Sequence, residues 1–339
     1  MYNLHLPEGW MARPAQPADA ERILGLFNAR SRMMFGDEPT SRRDVDAWWQ
    51  SPRFRVDENS LLILDEKREL AAVARVETGE GSKSAFGLTE AVHPKHQRSE
   101  SLWDQLCAWG LQRLRGLATA ASADGRVVAR TTAPARDEAR RAALTRAGFS
   151  IVATQNRMGV DLVVPPVARF PDGVRVRTAK PRRDLDALVD AYRDVWRDQP
   201  RHTRRPRAEV VDAYRRMIDE QGVQFDPSLW FVALQGKEVV GYCLCRAETS
   251  RDAVQGTVDD LGVRPAWRGR GVGAALVRHA FRELHARGCR RVELDMRSEQ
   301  LTRDLRFYEA VGMRILRQVI EYEKELRPAA EPAPTRLAV

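Results

Sequence analysis

Arg268, Gly269, Arg270, Gly271 and Gly273 set three glycines at alternate positions among two arginines, directly before an apolar helical pattern that begins at Val272. Glycine tolerates the backbone angles that let several N–H groups converge on one point. The N-terminus of the following helix adds a partial positive charge of about half a unit. A nest of this kind suits a phosphate or pyrophosphate. The other reading is a helix entry turn that uses glycine for its conformation alone. Upstream, the extended run Asp260–Val263 stops at Pro265, so the loop leaves the end of a strand. Downstream, Val272, Leu276, Ala280, Phe281 and Leu284 form the helix's apolar stripe, and Gly288 ends it. His279 and His285 do not share a face of that helix and are expected at its surface.

Two common phosphate loops fit poorly. Gly269, Gly271 and Ala274 satisfy the G-x-G-x-x-G/A spacing of a dinucleotide site, and Glu293 follows at about the expected distance. In that motif, however, the strand runs directly into the first glycine near the start of its domain. Here Pro265, Ala266, Trp267 and Arg268 intervene. A P-loop is excluded because no Gly-Lys-Ser/Thr follows.

The chain of 339 residues suits two domains, and 43% hydrophobic residues suffice for two cores. Of the 56 basic residues only six are lysine, and the arginines are spread along the whole chain. Such a diffuse excess, whose densest cluster, Arg201 to Arg207, follows Pro200, contains Pro206 and has no interleaved aromatics, argues against specific nucleic-acid binding. No apolar run of about 18 residues exists and no leader pattern opens the chain, so no membrane segment and a cytoplasmic location are expected. Cys107, Cys243, Cys245 and Cys289 form no C-x-x-C pair and read as buried thiols, with no metal site.

The elements that position the loop occur twice. Gly173, Val174 and Arg177 repeat Gly9, Trp10 and Arg13; Val263 and Pro265 repeat Val92 and Pro94; Gly312 repeats Gly148. A period of about 165 residues is a duplicated domain, since solenoid units run ~20–50. Each half reads strand, two helices, three strands, helix, strand, helix, two strands. That alternation predicts an α/β fold with a mixed sheet covered by helices. The boundaries are 1–164, a proline-rich linker at 165–171, 172–327, and a disordered tail at 328–339.

The pattern Val263-Arg264-Pro265-x-x-Arg268-Gly269-x-Gly271-x-Gly273 resembles the cofactor signature of the GCN5-related N-acetyltransferase (GNAT) superfamily. Leu305–Met313, containing Phe307-Tyr308-Glu309 and Gly312, is similar to a second segment of that family. The tandem arrangement resembles the mycothiol-synthase-like acetyltransferases. The resemblance implies two tandem GNAT-like domains, each with a central sheet whose middle strands splay. It further implies acetyl-CoA as co-substrate, held by Arg268, Gly269, Arg270, Gly271, Val272, Gly273 and Ala274, with Leu261 and Val263 along the pantetheine arm. Gln300 is the candidate for an amide that touches the cofactor. Tyr308 matches the tyrosine that protonates the leaving thiolate. The family's usual strand glutamate falls at Thr257. Asp259, expected on the same face as Thr257, Leu261 and Val263, is therefore the candidate base, and Asp295 a weaker one.

In the first half no glycine survives between His93 and Leu102; Glu100 is aligned with Gly271 and Leu144 with Tyr308. Residues 1–164 are accordingly expected to be a degenerate, non-catalytic copy. Trp48, Trp49 and the segment Asp194–His202 are candidates for the acceptor wall. The expected function is acetyl transfer to the primary amine of a small molecule, by a monomer or homodimer. A non-catalytic acyl-CoA sensor or scaffold, and an acetyltransferase for a protein amine, are the alternatives.

Overall fold

Residues 1–155 with 317–339 form one compact unit, and 156–316 a second. The computed structural model describes residues 4–50, 55–78, 85–119, 125–164, 166–197, 206–219, 226–249, 254–298 and 301–328. Gln300, most of the tail and the stretch 198–202 therefore lie outside the described residues. No helix among the described residues is long and apolar enough to cross a membrane.

The first half runs β1 (Met11–Arg13), α1 (Ala20–Phe35), α2 (Arg42–Gln50), α3 (Val56–Asn59), β2 (Ser60–Leu64), β3 (Leu70–Thr78), β4 (Ala85–Val92), α4 (Glu100–Thr119), β5 (Val127–Pro134), α5 (Glu138–Arg146) and β6 (Ser150–Asp161). The second runs β7 (Val174–Thr178), α6 (Pro181–Val195), α7 (Arg207–Asp219), β8 (Trp230–Gln235), β9 (Glu238–Thr249), β10 (Val254–Val263), α8 (Val272–Ala286), β11 (Arg291–Ser298), α9 (Leu301–Ala310) and β12 (Arg314–Arg327). The expected alternation holds except for the short extra helix α3 in the first half and at the end of each half, where one long strand stands instead of two short ones. The chain changes unit inside β6 and again inside β12. The last strand of the sequence thereby joins the first unit, pairing antiparallel with β5. Burial fixes it there: Ile320 and Tyr322 point into the first unit's core, and Glu323 pairs with Arg126 and Arg130.

Each unit is a mixed sheet between two helical layers. In the first, the order β1-β2-β3-β4-β5-β12 is covered by α4 on one face and by α1 and α2 on the other. In the second, the order β6-β11-β10-β9-β8-β7 lies between α8 and the pair α6 and α7. Strands buried on both faces need near-continuous apolar runs, and Leu61–Leu64 and Trp230–Ala233 are such runs.

The duplication extends to side-chain chemistry. Arg13 grips Asp19 at 2.6 and 2.7 Å, and Asp19 also accepts the Gln16 N–H. Arg177 grips Asp184 at 2.5 and 2.9 Å, and Asp184 accepts the Lys180 N–H. Both carboxyls are held below their usual range, first by these arginine hydrogen bonds. The same device thus fixes the turn from first strand to first helix in both halves.

Candidate functional site

The central strands of the second unit part company. Parallel β10 and β11 register only at Gln255–Arg291, Gly256–Val292 and Thr257–Glu293, although both continue to Val263 and Ser298. Beyond Thr257 the edge of β10 facing β11 is left without a strand partner among the described residues. An extended ligand could supply one.

A β-bulge accompanies the parting. On the β9 side the register slips between Val258 and Asp260, leaving Asp259 as the extra residue. This overturns the simple alternation expected for the strand. Val258, Leu261 and Val263 belong to the α8 side. Asp260 stands opposite Leu244, and Gly262 opposite Tyr242, on the side covered by α6 and α7. Asp259 is exposed and pairs with Arg246 at 3.2 Å. Asp295, on β11, is exposed and held by Arg157 at 2.9 Å.

Asp260 was missed by the sequence reading. It keeps some accessible surface but is densely surrounded, and burial pushes its carboxyl up to about 7. The Tyr242 hydroxyl and the Leu261 N–H pull it down more weakly, and the charge of Asp259 raises it further. Tyr242 is buried beside it, with no partner in full hydrogen-bond geometry at its hydroxyl. Tyr214, Tyr192 and Trp230 continue the aromatic wall, with ring centroids 6.0 to 6.1 Å apart. The available signal was the Asp259-Asp260 doublet inside a central strand, which alternation cannot seat without a bulge.

From Val263 the chain makes a 3-10 turn at Pro265–Trp267 and enters α8. Gly271 is the residue before the helix, at φ +85°, and Gly269 has φ +76°. A Cβ at either would meet open space, so backbone conformation and room for a ligand call for glycine there, not packing. No side chain caps α8, whose ladder begins with the Ala275 N–H on Gly271. The N–H groups of Val272, Gly273 and Ala274 therefore point off the helix end. Arg270 lies over the Trp267 ring at 5.0 Å. The Arg268 guanidinium turns instead to two carbonyl oxygens, Val263 at 3.1 Å and Val195 at 2.6 Å.

Tyr308 is half-buried on α9, and the neighbouring Phe307 brings this helix to the loop: a Cβ on Gly273 would stand 3.3 Å from its ring. His279, expected at the surface, is instead half-buried with its ring 4.8 Å from that of Phe231. Trp48 packs in the first unit's core against Phe27 and Arg75, which is a structural position.

The first unit shows what the same elements look like when filled. β4 and β5 register only at Ala85–Val128, Phe86–Ala129 and Gly87–Arg130, and then part. Charged side chains occupy this region. Arg140 reaches Glu90 at 2.7 Å and Thr131 at 3.0 Å; Arg30 pairs with Asp137 and donates to the Val92 carbonyl at 3.3 Å. The Trp103 ring lies beneath both guanidiniums, and burial pushes Arg30 down to about 9. Ser99 caps α4 by accepting the Leu102 N–H. Ser99, not Glu100, is therefore the counterpart of Gly271, since Glu100 is already helical. Leu144 does match Tyr308: each carbonyl accepts the N–H five residues on, from Phe149 and Met313 respectively.

Residues 186–313 match the acetyltransferase (GNAT) family. Mycothiol acetyltransferases of Thermobispora bispora and Acidothermus cellulolyticus are each 30% identical, over 177 and 182 residues, or 50% of this chain and 58% and 54% of theirs. The chain thus spans about half the length of the curated relatives it matches. Over 96% of this chain and 99% of the other, the fold is similar to a GCN5-related N-acetyltransferase from Sphaerobacter thermophilus, with TM-score 0.73 and 27% identity. A tandem GNAT protein from the clavulanic acid biosynthesis pathway shares the fold, covering 95% of this chain and 100% of its own at TM-score 0.59 and 13% identity.

Proposed function

This chain belongs to the GNAT acetyltransferases, and from that premise we propose that it transfers acetyl from acetyl-CoA to the primary amine of a small molecule, with chemistry confined to the second unit. The observation that carries the reading is the open edge of β10, which ends beside the uncapped, glycine-lined start of α8. Backbone N–H groups at Val272, Gly273 and Ala274 suit a pyrophosphate. The edge at Leu261 and Val263 suits the amides of a pantetheine arm. A small-molecule acceptor has the support of the relatives' name.

Aminolysis forms a C–N bond and breaks the C–S bond; the amine must lose a proton and the thiolate gain one. Asp260 is the base in this reading, because a carboxyl that titrates near 7 can hold the amine's proton at neutral pH. Asp259, engaged with Arg246, supports that role by raising its neighbour. Tyr308 is the proton donor to the thiolate. Calorimetry with acetyl-CoA tests the site: the chain should bind it, and Gly271→Glu, which brings a carboxylate to the helix mouth, should weaken binding by about tenfold or more. Unchanged affinity in the variant would place the cofactor elsewhere.

A further inference from the structure

Arg268 heads the loop's glycine motif, yet its side chain is committed away from the helix mouth. One guanidinium nitrogen donates to the carbonyl of Val263, the last residue of the parted strand β10. Another donates to the carbonyl of Val195, the last residue of α6. Terminal helix carbonyls lack intrahelical partners and carry the negative end of the helix dipole, so a guanidinium satisfies both needs. Arg264 reinforces the connection. Its Nε donates to the Val239 carbonyl at 2.7 Å, its backbone N–H to Val240 at 2.9 Å, and its guanidinium lies 3.6 Å from Asp194 on the last turn of α6.

That same turn carries aromatics of the wall around Asp260. Tyr192 and Trp196 stand 6.3 Å apart, Tyr192 lies 6.1 Å from Tyr214, and Tyr242 belongs to the same cluster. The loop that would hold the pyrophosphate and the helix end that flanks the proposed base are therefore joined by two arginines four residues apart. Arg270, the other loop arginine, rests on Trp267.

We propose that Arg268, with Arg264, is a positioning residue that ties the cofactor loop to the C-terminal turn of α6, so that seating acetyl-CoA firms the wall beside Asp260. The proposal rests on the cofactor reading above.

Hydrogen exchange of the full chain, with and without saturating acetyl-CoA, tests it. Exchange at residues 192–197 should slow about tenfold or more when acetyl-CoA is added. In Arg268→Ala that protection should vanish, while calorimetric affinity for acetyl-CoA falls by no more than about fivefold, since backbone groups make the grip. Arg268→Lys, a milder change that still offers a donor, should retain part of the protection, and Arg270→Ala all of it. Protection that persists in Arg268→Ala overturns the coupling. So does a loss of affinity as deep as that of Gly271→Glu, which would make Arg268 a phosphate ligand. A wild-type chain that binds no acetyl-CoA refutes the underlying site; one that binds it without protecting 192–197 refutes only the tether.

Discussion

At Asp260 the cost to stability and the usefulness for catalysis have one cause. A carboxyl whose folded pKa stands near 7, against 3.8 when exposed, keeps a proton that the unfolded chain has already lost between those values. Stability therefore falls as pH rises from about 4 to 7 and is level above it. Asp260→Asn removes the buried charge. It should raise stability at pH 8 by on the order of 2–4 kcal/mol, allowing for the carboxyl's residual contact with water, and by much less at pH 5. Thermal melts at the two pH values measure this. The same substitution should lower kcat at least about a hundredfold, and the wild-type kcat/KM should climb through pH 7 before levelling. A variant that is both more stable and fully active would return the base role to Asp259. Tyr308→Phe should slow turnover and spare cofactor affinity. Tyr308 was proposed from its motif, whereas Asp260 needed the fold: a bulge exchanges the faces of every following residue, and the Asp259-Asp260 doublet was the one sign of it.

The elements were easier to read than their partners. Most helix and strand positions followed from apolar period, because local pattern and tertiary burial agree outside α3, the β10 bulge and the long last strand of each half. The pairing of β12 with β5 could not be read so, since it depends on which sheet edge a terminal strand reaches and not on the strand itself. The loop before α8 lies between these cases. Its glycines announced a nest, but nothing in the sequence pointed to the Arg268 side chain meeting Val195, 73 residues away. Gly271→Ala separates conformation from ligand access. The added Cβ meets nothing within 4 Å, so the left-handed φ of +85° is the main cost to folding, about 1–2 kcal/mol. Urea unfolding should show that loss without cofactor. Gly271→Glu should lose a similar stability but far more acetyl-CoA affinity. Equal losses of affinity in the two variants would mean that the turn's shape, and not access to the helix mouth, governs binding.

At the scale of the whole chain, duplication has produced two sheets that both part at their centre and only one that is left open. In the first unit Glu90, Arg140, Arg30 and Asp137 stand where the strands separate, with side chains nearly or fully buried. Buried ion pairs contribute little net stability when intact, but removing one partner strands the other. Asp137→Ala should accordingly cost about 3–5 kcal/mol by leaving the Arg30 charge unbalanced in the interior. It would show as a lower urea midpoint of the first unit, followed through Trp103, whose ring lies under both guanidiniums. Calorimetry separates a plug from a latent site. The wild-type chain should titrate with about one acetyl-CoA per chain, and Asp137→Ala should keep that ratio, because Ser99 still caps α4 and the mouth still lacks glycine. A ratio rising toward two would mean that the ion pairs hold shut a second site. A ratio fixed at one leaves them as a filling that lets a duplicated sheet fold without a ligand.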